Sequence, residues 1–212
     1  MTARVGAPLD PRRLAHATRW LAARDPDLAR LRSRHGTPPL WARPPGFATL
    51  AHIVLEQQVS LASARAMRER LARSLGRFDA TRIGNAGERG LRALGVTRQK
   101  ARYLASAAGA VRSGALDLTG LGRVPDDDVL AALTRHPGIG PWTAQVYLVM
   151  ALRRPDVWPR GDLALLHALA RVKRLRRLDD DRALAIAERW RPWRAVAARM
   201  LWQQYLAERR AR

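Results

Sequence analysis

From about residue 11 onwards one pattern recurs: apolar side chains three and four apart, broken at short intervals by Pro, Gly, Asp or Ser. Leu14, Ala17, Thr18 and Leu21 predict a helix after Pro11 that stops near Asp25-Pro26. Leu28 and Leu31 predict a short second helix, ended by His35-Gly36-Thr37-Pro38-Pro39. Phe47, Leu50, Ala51, Val54 and Leu55 mark a buried helix. Ser60 is placed to cap the next, with Ala64, Met67, Leu71 and Leu75 inward and Gly76 at its end. Leu91, Leu94 and Val96 lead into a helix from about Thr97 that carries Ala101, Leu104 and Ala108. Pro125 and Asp126 to Asp128 suit the positive end of another helix. Residues 142–152, 163–172, 183–190 and 193–207 complete the set. No stretch alternates with the period of two that a half-buried strand requires. The fold class expected is all-α, roughly ten helices on short loops.

A chain of 212 residues can bury a full core, and neither a low-complexity linker nor a fixed-period repeat divides it. The absence of cysteine excludes disulfides, thiolate zinc sites, iron–sulfur clusters and cysteine nucleophiles. The five histidines show no tight metal-ligand spacing. Lys and Arg number 39 against 18 Asp and Glu, a formal net charge of +21, and only Lys100 and Lys173 are lysine. An arginine-rich genome contributes to such a count, but an excess of this size points to a polyanion. Arginine's planar fork suits phosphate. No strongly basic amphipathic anchor stands out and no apolar run would span a bilayer, so nucleic acid is expected and a membrane is not. The Met1 to Leu9 stretch lacks the apolar core of a signal peptide, which implies a cytoplasmic, nucleoid-associated protein.

The most informative segment is Leu133-Thr134-Arg135-His136-Pro137-Gly138-Ile139-Gly140-Pro141-Trp142-Thr143-Ala144. A helix ends, Pro-Gly-Ile-Gly turns tightly, and Pro141 suits the opening of the next helix. The two glycines permit close backbone approach, and amides at a helix N-terminus attract anions. This is a helix-hairpin-helix pattern, which grips DNA phosphate through main-chain N–H groups, although an ordinary connector between antiparallel helices would read similarly. Further on comes Pro155-Asp156-Val157-Trp158-Pro159-Arg160-Gly161-Asp162, with Asp162 twenty residues after Trp142. Asp162 follows a glycine and opens an apolar helix, so spacing alone fits an N-cap as well as a catalytic carboxylate.

With that sequel the chain resembles the helix-hairpin-helix DNA glycosylase superfamily, and within it the alkylpurine branch, the 3-methyladenine DNA glycosylase II type. Val54 to Ser60 resembles the branch's DNA-facing segment, Leu91 to Ala101 the element before a core helix, and Arg191 to Trp202 its C-terminal helix. The resemblance covers about residues 40 to 205. It implies one domain over residues 1–212, in the minimal form without the N-terminal α/β domain of larger relatives. Two helical subdomains, about residues 1–45 plus 155–212 and about residues 46–154, would flank a DNA-binding cleft, with the hairpin at 133–145.

The resemblance further assigns Asp162 as the catalytic carboxylate; Glu56, beside Gln57 and Gln58, is the runner-up, and Asp156 is expected to be a solvated loop residue. It places Trp142, Trp202 and Val146 at the base pocket. The indole faces would stack on a cationic alkylpurine, and Val146 replaces an aromatic one turn after Trp142. Trp20 and Trp190 are expected in the core, and Tyr147 is expected to point away from the pocket. Gln57, Gln58, Gly138, Ile139, Gly140 and Thr143 are assigned to DNA, with Gln58 at the position that plugs the vacated stack; Gln57 could equally hydrogen-bond at a helix end. The main-chain carbonyls of Thr134, His136 and Gly138 are the expected ligands of a structural Na+ or K+, and no cofactor is required. Relatives that also nick the backbone carry a lysine where Trp142 stands, so a monofunctional hydrolase is implied. The expected function is excision of 3-methyladenine and 7-methylguanine from double-stranded DNA by base flipping, as a monomer. The alternatives are a glycosylase for hypoxanthine, uracil or an oxidised purine, and a noncatalytic DNA-binding protein that retains the hairpin.

Overall fold

The computed structural model describes residues 7–210, so most of the Met1 to Leu9 stretch falls outside the described residues. Among the described residues there are eleven α-helices, one 3-10 turn and no strand, as the apolar spacing predicts. The helices fall into two contact-dense units, one over Arg43–Tyr147 and the other combining residues 7–42 with residues 148–210.

The first unit holds α3 (Phe47–Glu56), α4 (Leu61–Leu75), α5 (Ala80–Ala93), α6 (Arg98–Arg112), the 3-10 turn Gly120–Arg123 and α7 (Asp126–Thr134). It also contains the first two turns of α8 (Pro141–Met150). Leu50, Ile53, Leu71, Ile83, Leu91 and Leu104 are fully buried at its centre. Ser60 caps α4, its hydroxyl accepting from the Ser63 amide at 3.1 Å. Three aspartates occupy the first turn of α7, at the positive end of its dipole.

Helix α5 is the element the sequence pattern does not predict, because Gly84, Gly87 and Gly90 interrupt it. Gly87 breaks the helical backbone at φ 60°. Gly84 faces α6: a Cβ there would lie 2.8 Å from Arg112 Nη1, the movable end of an exposed side chain, 3.2 Å from Arg112 Cδ and 3.7 Å from the Ala108 methyl. Glycine and alanine let the two helices approach closely, at a cost in helix propensity.

The second unit contains α1 (Pro11–Ala22), α2 (Pro26–His35), α9 (Leu163–Val172), α10 (Asp180–Glu188) and α11 (Arg194–Arg210). Aspartates cap four of these: Asp10, Asp25, Asp162 and Asp179 each accept from a first-turn amide. The run Ala195 to Trp202 in α11 is buried on every face, which makes it the central helix of the unit. Two expectations fail here. Trp20 is not in the core but half-exposed, with the Arg24 guanidinium 3.9 Å above its ring. Asp156 is not a solvated loop residue, because it accepts from Arg191 Nη1 at 2.9 Å, Arg194 Nε at 3.0 Å and the Arg194 amide at 3.2 Å. It fastens the loop to the start of α11. Trp190 is buried as expected, its indole N–H donating to Asp25 at 2.9 Å.

Candidate active site

In the first unit α7 ends at Thr134, the chain turns through His136 to Gly140, and Pro141 opens α8. The Ile139 amide donates to the His136 carbonyl at 3.1 Å, which closes the turn. Ile139 itself is buried, so its side chain anchors the hairpin while the Gly140 backbone stays exposed. Gly138 adopts φ +83°, and its α-carbon faces the Tyr103 ring of α6 so closely that a Cβ would lie 2.0 Å from Tyr103 Cγ. Only glycine fits that backbone and that gap.

Gln57 at the end of α3 reaches the same hairpin. Its Nε2 donates to the Gly138 carbonyl at 2.9 Å and to Thr143 Oγ1 at 2.8 Å. Both amide protons are therefore used inside the unit, and Thr143 is almost fully buried. Gln58 is exposed and left-handed at φ 54°, with Val59 and Leu61 exposed beside it. Glu56 is held by Arg43 through two bonds, 2.8 and 3.1 Å, with His52 Nε2 at 3.3 Å. Burial lowers the His52 pKa despite the neighbouring Glu56 carboxylate. The carboxylate of Glu56 thus already has a guanidinium partner. On α8, Trp142 is half-exposed, Val146 is buried, and Tyr147 is fully buried with its hydroxyl accepting from the Gly46 amide at 2.8 Å.

The hairpin carbonyls suit a monovalent cation only as shared ligands. His136 O already accepts from Ile139 and Gly138 O from Gln57, so an ion would use the second lone pair of each. Among the described residues no cluster of His, Asp or Glu could hold a metal.

The second unit presents Asp162 at the N-cap of α9. Gly161, left-handed at φ +73°, turns the chain into it, and Asp162 Oδ1 accepts from the Leu165 amide at 2.9 Å. The same oxygen lies 3.3 Å from the indole Nε1 of Trp202 on α11, and both side chains are buried. The next residue, Leu163, is 71% exposed, so the carboxylate sits just inside the surface. Asp180 steadies this turn: its carboxylate accepts from the Gly161 amide at 2.7 Å and from Arg160 Nε at 2.8 Å. The structure therefore joins Gln57, Gly138 and Thr143 in one unit, and Asp162 and Trp202 in the other.

Residues 51–194 match the family described as HhH-GPD superfamily base excision DNA repair protein. The chain belongs to this family. Members with solved structures share its fold. The 3-methyladenine DNA glycosylase Mag1 of Schizosaccharomyces pombe, solved with abasic DNA, superposes with a TM-score of 0.82 at 26% identity, covering 89% of this chain and 95% of that one. A DNA-3-methyladenine glycosidase from Bacillus halodurans gives a TM-score of 0.76 at 28% identity, covering 91% of each chain. In sequence, the DNA-3-methyladenine glycosylase of Bacillus subtilis is 28% identical over 170 residues, 74% of this chain and 56% of the relative. The DNA-3-methyladenine glycosylase 2 of Escherichia coli is 29% identical over 160 residues, 70% and 54% of the two chains. The chain thus spans just over half the length of these curated relatives. Among the described residues no helix is long and apolar enough to cross a membrane.

Two residues of this HhH-GPD chain escape sequence reasoning: Tyr103, which forces glycine at 138, and Asp180, which holds Gly161. Lys100, whose ammonium lies under the end of α3, is signalled by the rarity of lysine and by its place in the Leu91 to Ala101 segment, but the sequence assigns it no role.

Proposed function

We propose that this chain is a DNA N-glycosylase that hydrolyses the bond between an alkylated purine and its deoxyribose in duplex DNA, with 3-methyladenine and 7-methylguanine as substrates. The observation that carries the reading is the buried Asp162 carboxylate, oriented through Oδ1 by the Leu165 amide and the Trp202 indole. An N-alkylated purine is cationic and leaves readily, so the protein need not supply a strong acid. The sugar develops positive charge as the bond breaks, and one fixed carboxylate stabilises that charge or orients water. Hairpin amides other than that of Ile139, which closes the turn, grip backbone phosphate, and the +21 charge favours approach without reading sequence. The target base leaves the stack for the protein, as the chemistry requires. By resemblance, Trp142 and Trp202 are assigned to the flipped base and Gln58 to the vacated space.

The reading is monofunctional and monomeric. Trp142 stands at the nucleophile position, Lys173 is bonded to Asp25 and Asp27, and Lys100 to two backbone carbonyls. It needs no cofactor; a sodium or potassium ion on Thr134, His136 and Gly138 is an addition to it.

The test is release of free bases from randomly methylated duplex DNA. Methylpurines are expected as products, with intact abasic sites and no borohydride-trapped adduct. Asp162→Asn keeps a capping oxygen and removes the charge. It should lower single-turnover excision by ~10²–10³ while melting temperature and abasic-duplex affinity persist. Near-wild-type turnover in that variant would refute the assignment of Asp162. Release of a different base would redirect the substrate, and Val146 in place of an aromatic is the first residue to examine.

A further inference from the structure

Lysine is so scarce in this chain that each one identifies a place where arginine does not serve. Lys173 makes the compact contacts of an ammonium, lying within 2.8 Å of both Asp25 and Asp27. Lys100 is different, for among the described residues no carboxylate lies within ion-pairing distance of it. Its Nζ donates to the Leu55 carbonyl and to the Gln57 carbonyl, both at 2.7 Å. These are acceptors at the C-terminal end of α3, where the last carbonyls lack helical partners and the helix dipole is negative. Lys100 also sits in the first turn of its own helix, three residues after the Thr97 cap, where a positive charge is locally unfavourable. Its placement is therefore explained by α3 and not by α6.

The two carbonyls bracket the segment that leads to the hairpin. The Gln57 backbone is fixed by Lys100, and its side chain donates to Gly138 O and Thr143 Oγ1. The next residue, Gln58, is driven into the left-handed region at φ 54° and exposed. Such backbone strain persists only where the surroundings over-determine it. A compact ammonium can meet two converging carbonyls at 2.7 Å, whereas a planar guanidinium would have to push them apart.

We infer that Lys100 is a positioning residue: it clamps the C-terminus of α3 and so sets both the Gln57 tie to the hairpin and the projection of Gln58. The inference rests on the proposed glycosylase reading for its consequence, since these are the elements that would seize a distorted duplex. Burial lowers the Lys100 pKa, which accords with an ammonium held by carbonyls and no counter-ion.

Because the chain has no cysteine, Lys100→Cys carries a unique thiol. Alkylation in urea with 2-bromoethylamine, followed by refolding, rebuilds an ammonium of lysine length, and iodoacetamide gives a neutral control. Three quantities are measured for the wild type, Lys100→Met and both adducts: methylpurine excision in a single turnover, affinity for an abasic-analogue duplex, and affinity for undamaged duplex. Lys100→Met and the neutral adduct should lose ~10–100-fold in the first two, the fold-change of one charge-assisted hydrogen bond. Affinity for undamaged duplex, carried by arginines, should stay within about three-fold. The aminoethylated protein should recover most of the loss. The inference is overturned if Lys100→Met behaves as wild type, or if the neutral adduct recovers as fully as the ammonium. If the wild type itself releases no base, the glycosylase reading fails, and the abasic-duplex affinities alone then decide the role of Lys100.

Discussion

Replacing Gly138 with alanine is the sharpest available test of how the hairpin is built. The added Cβ meets two separate obstacles. The backbone at φ +83° is left-handed, which costs an L-residue ~1–2 kcal/mol. The Cβ would also lie 2.0 Å from Tyr103 Cγ, 2.3 Å from Cδ2 and 2.6 Å from Tyr103 Cβ. The half-buried ring can swing partly aside, but Tyr103 Cβ is fixed to α6, so helix and hairpin must separate. Overpacking of this kind costs ~1–3 kcal/mol, which brings the total to ~2–5 kcal/mol. Urea unfolding of Gly138→Ala, Tyr103→Ala and the double variant separates the two terms. Tyr103→Ala removes the ring but leaves its Cβ, so the double variant should recover ~1–2 kcal/mol of the steric cost and none of the dihedral cost. A Gly138→Ala protein within ~0.5 kcal/mol of wild type, or a cost independent of residue 103, would refute the close approach of ring and turn.

Other changes test other parts of the chain. Trp202→Phe keeps an aromatic surface and removes the donor to Asp162, so single-turnover excision should fall ~3–10-fold with a stability loss of ~1–3 kcal/mol. Trp202→Ala should in addition cost ~3–5 kcal/mol in urea unfolding, and a harmless Trp202→Phe would mean that only the ring is used. Burial by itself would raise the Asp25 pKa, but bonds from Lys173 and Trp190 outweigh it and hold the carboxyl below its ordinary 3.8. The unfolded chain therefore binds that proton more tightly, so the contribution is full above the ordinary carboxylate range and lost as pH falls through the lower folded value. Lys173→Met should accordingly cost ~3–5 kcal/mol near neutral pH and much less in acid; an equal loss at both would sink the pairing. Arg199 is fully buried, its guanidinium pushed down to about 10 by burial, with one bond to Val149 O and, among the described residues, none at Nε or Nη1. Arg199→Met should leave the melting temperature unchanged or raise it by a few degrees, and a fall of similar size would reveal a partner for those nitrogens.

What was legible in the sequence is what local chemistry dictates. The hairpin could be read because Pro-Gly-Ile-Gly-Pro contains its own turn, and the α9 cap because Gly161-Asp162 precedes an apolar helix. Helix α5 could not, since Gly84, Gly87 and Gly90 interrupt its spacing and its partner is a different helix, α6, whose approach no local pattern announces. Asp156 looked solvated for the same reason: its partners, Arg191 and Arg194, lie 35 and 38 residues away. Trp20 shows the converse failure. Apolar content suggested the core, but a guanidinium can cover an indole at the surface instead. Within the candidate site, Gln57 meets Gly138 and Thr143, and Asp162 meets Trp202, while Tyr103 and Asp180, which hold their neighbours, had no motif to mark them and Lys100 lay in the Leu91 to Ala101 segment with no role assigned to it.

Under the proposed glycosylase reading, capping and catalysis by Asp162 support each other. A carboxylate on a mobile loop would have to be ordered when substrate arrives, and that ordering would subtract from its effect on the transition state. Here the ordering is already part of folding: the Leu165 amide fixes Oδ1 from α9, the Trp202 indole approaches the same oxygen from α11, and Asp180 holds the Gly161 turn that precedes it. The left-handed glycine lets the chain enter the helix at that angle. Capping is therefore the means by which the charge is preorganised, which is the condition under which a single carboxylate is worth most to a developing cation. Weakening the support while keeping the carboxylate should then lower turnover, and Asp180→Ala is the variant that does so without touching Asp162 or Trp202.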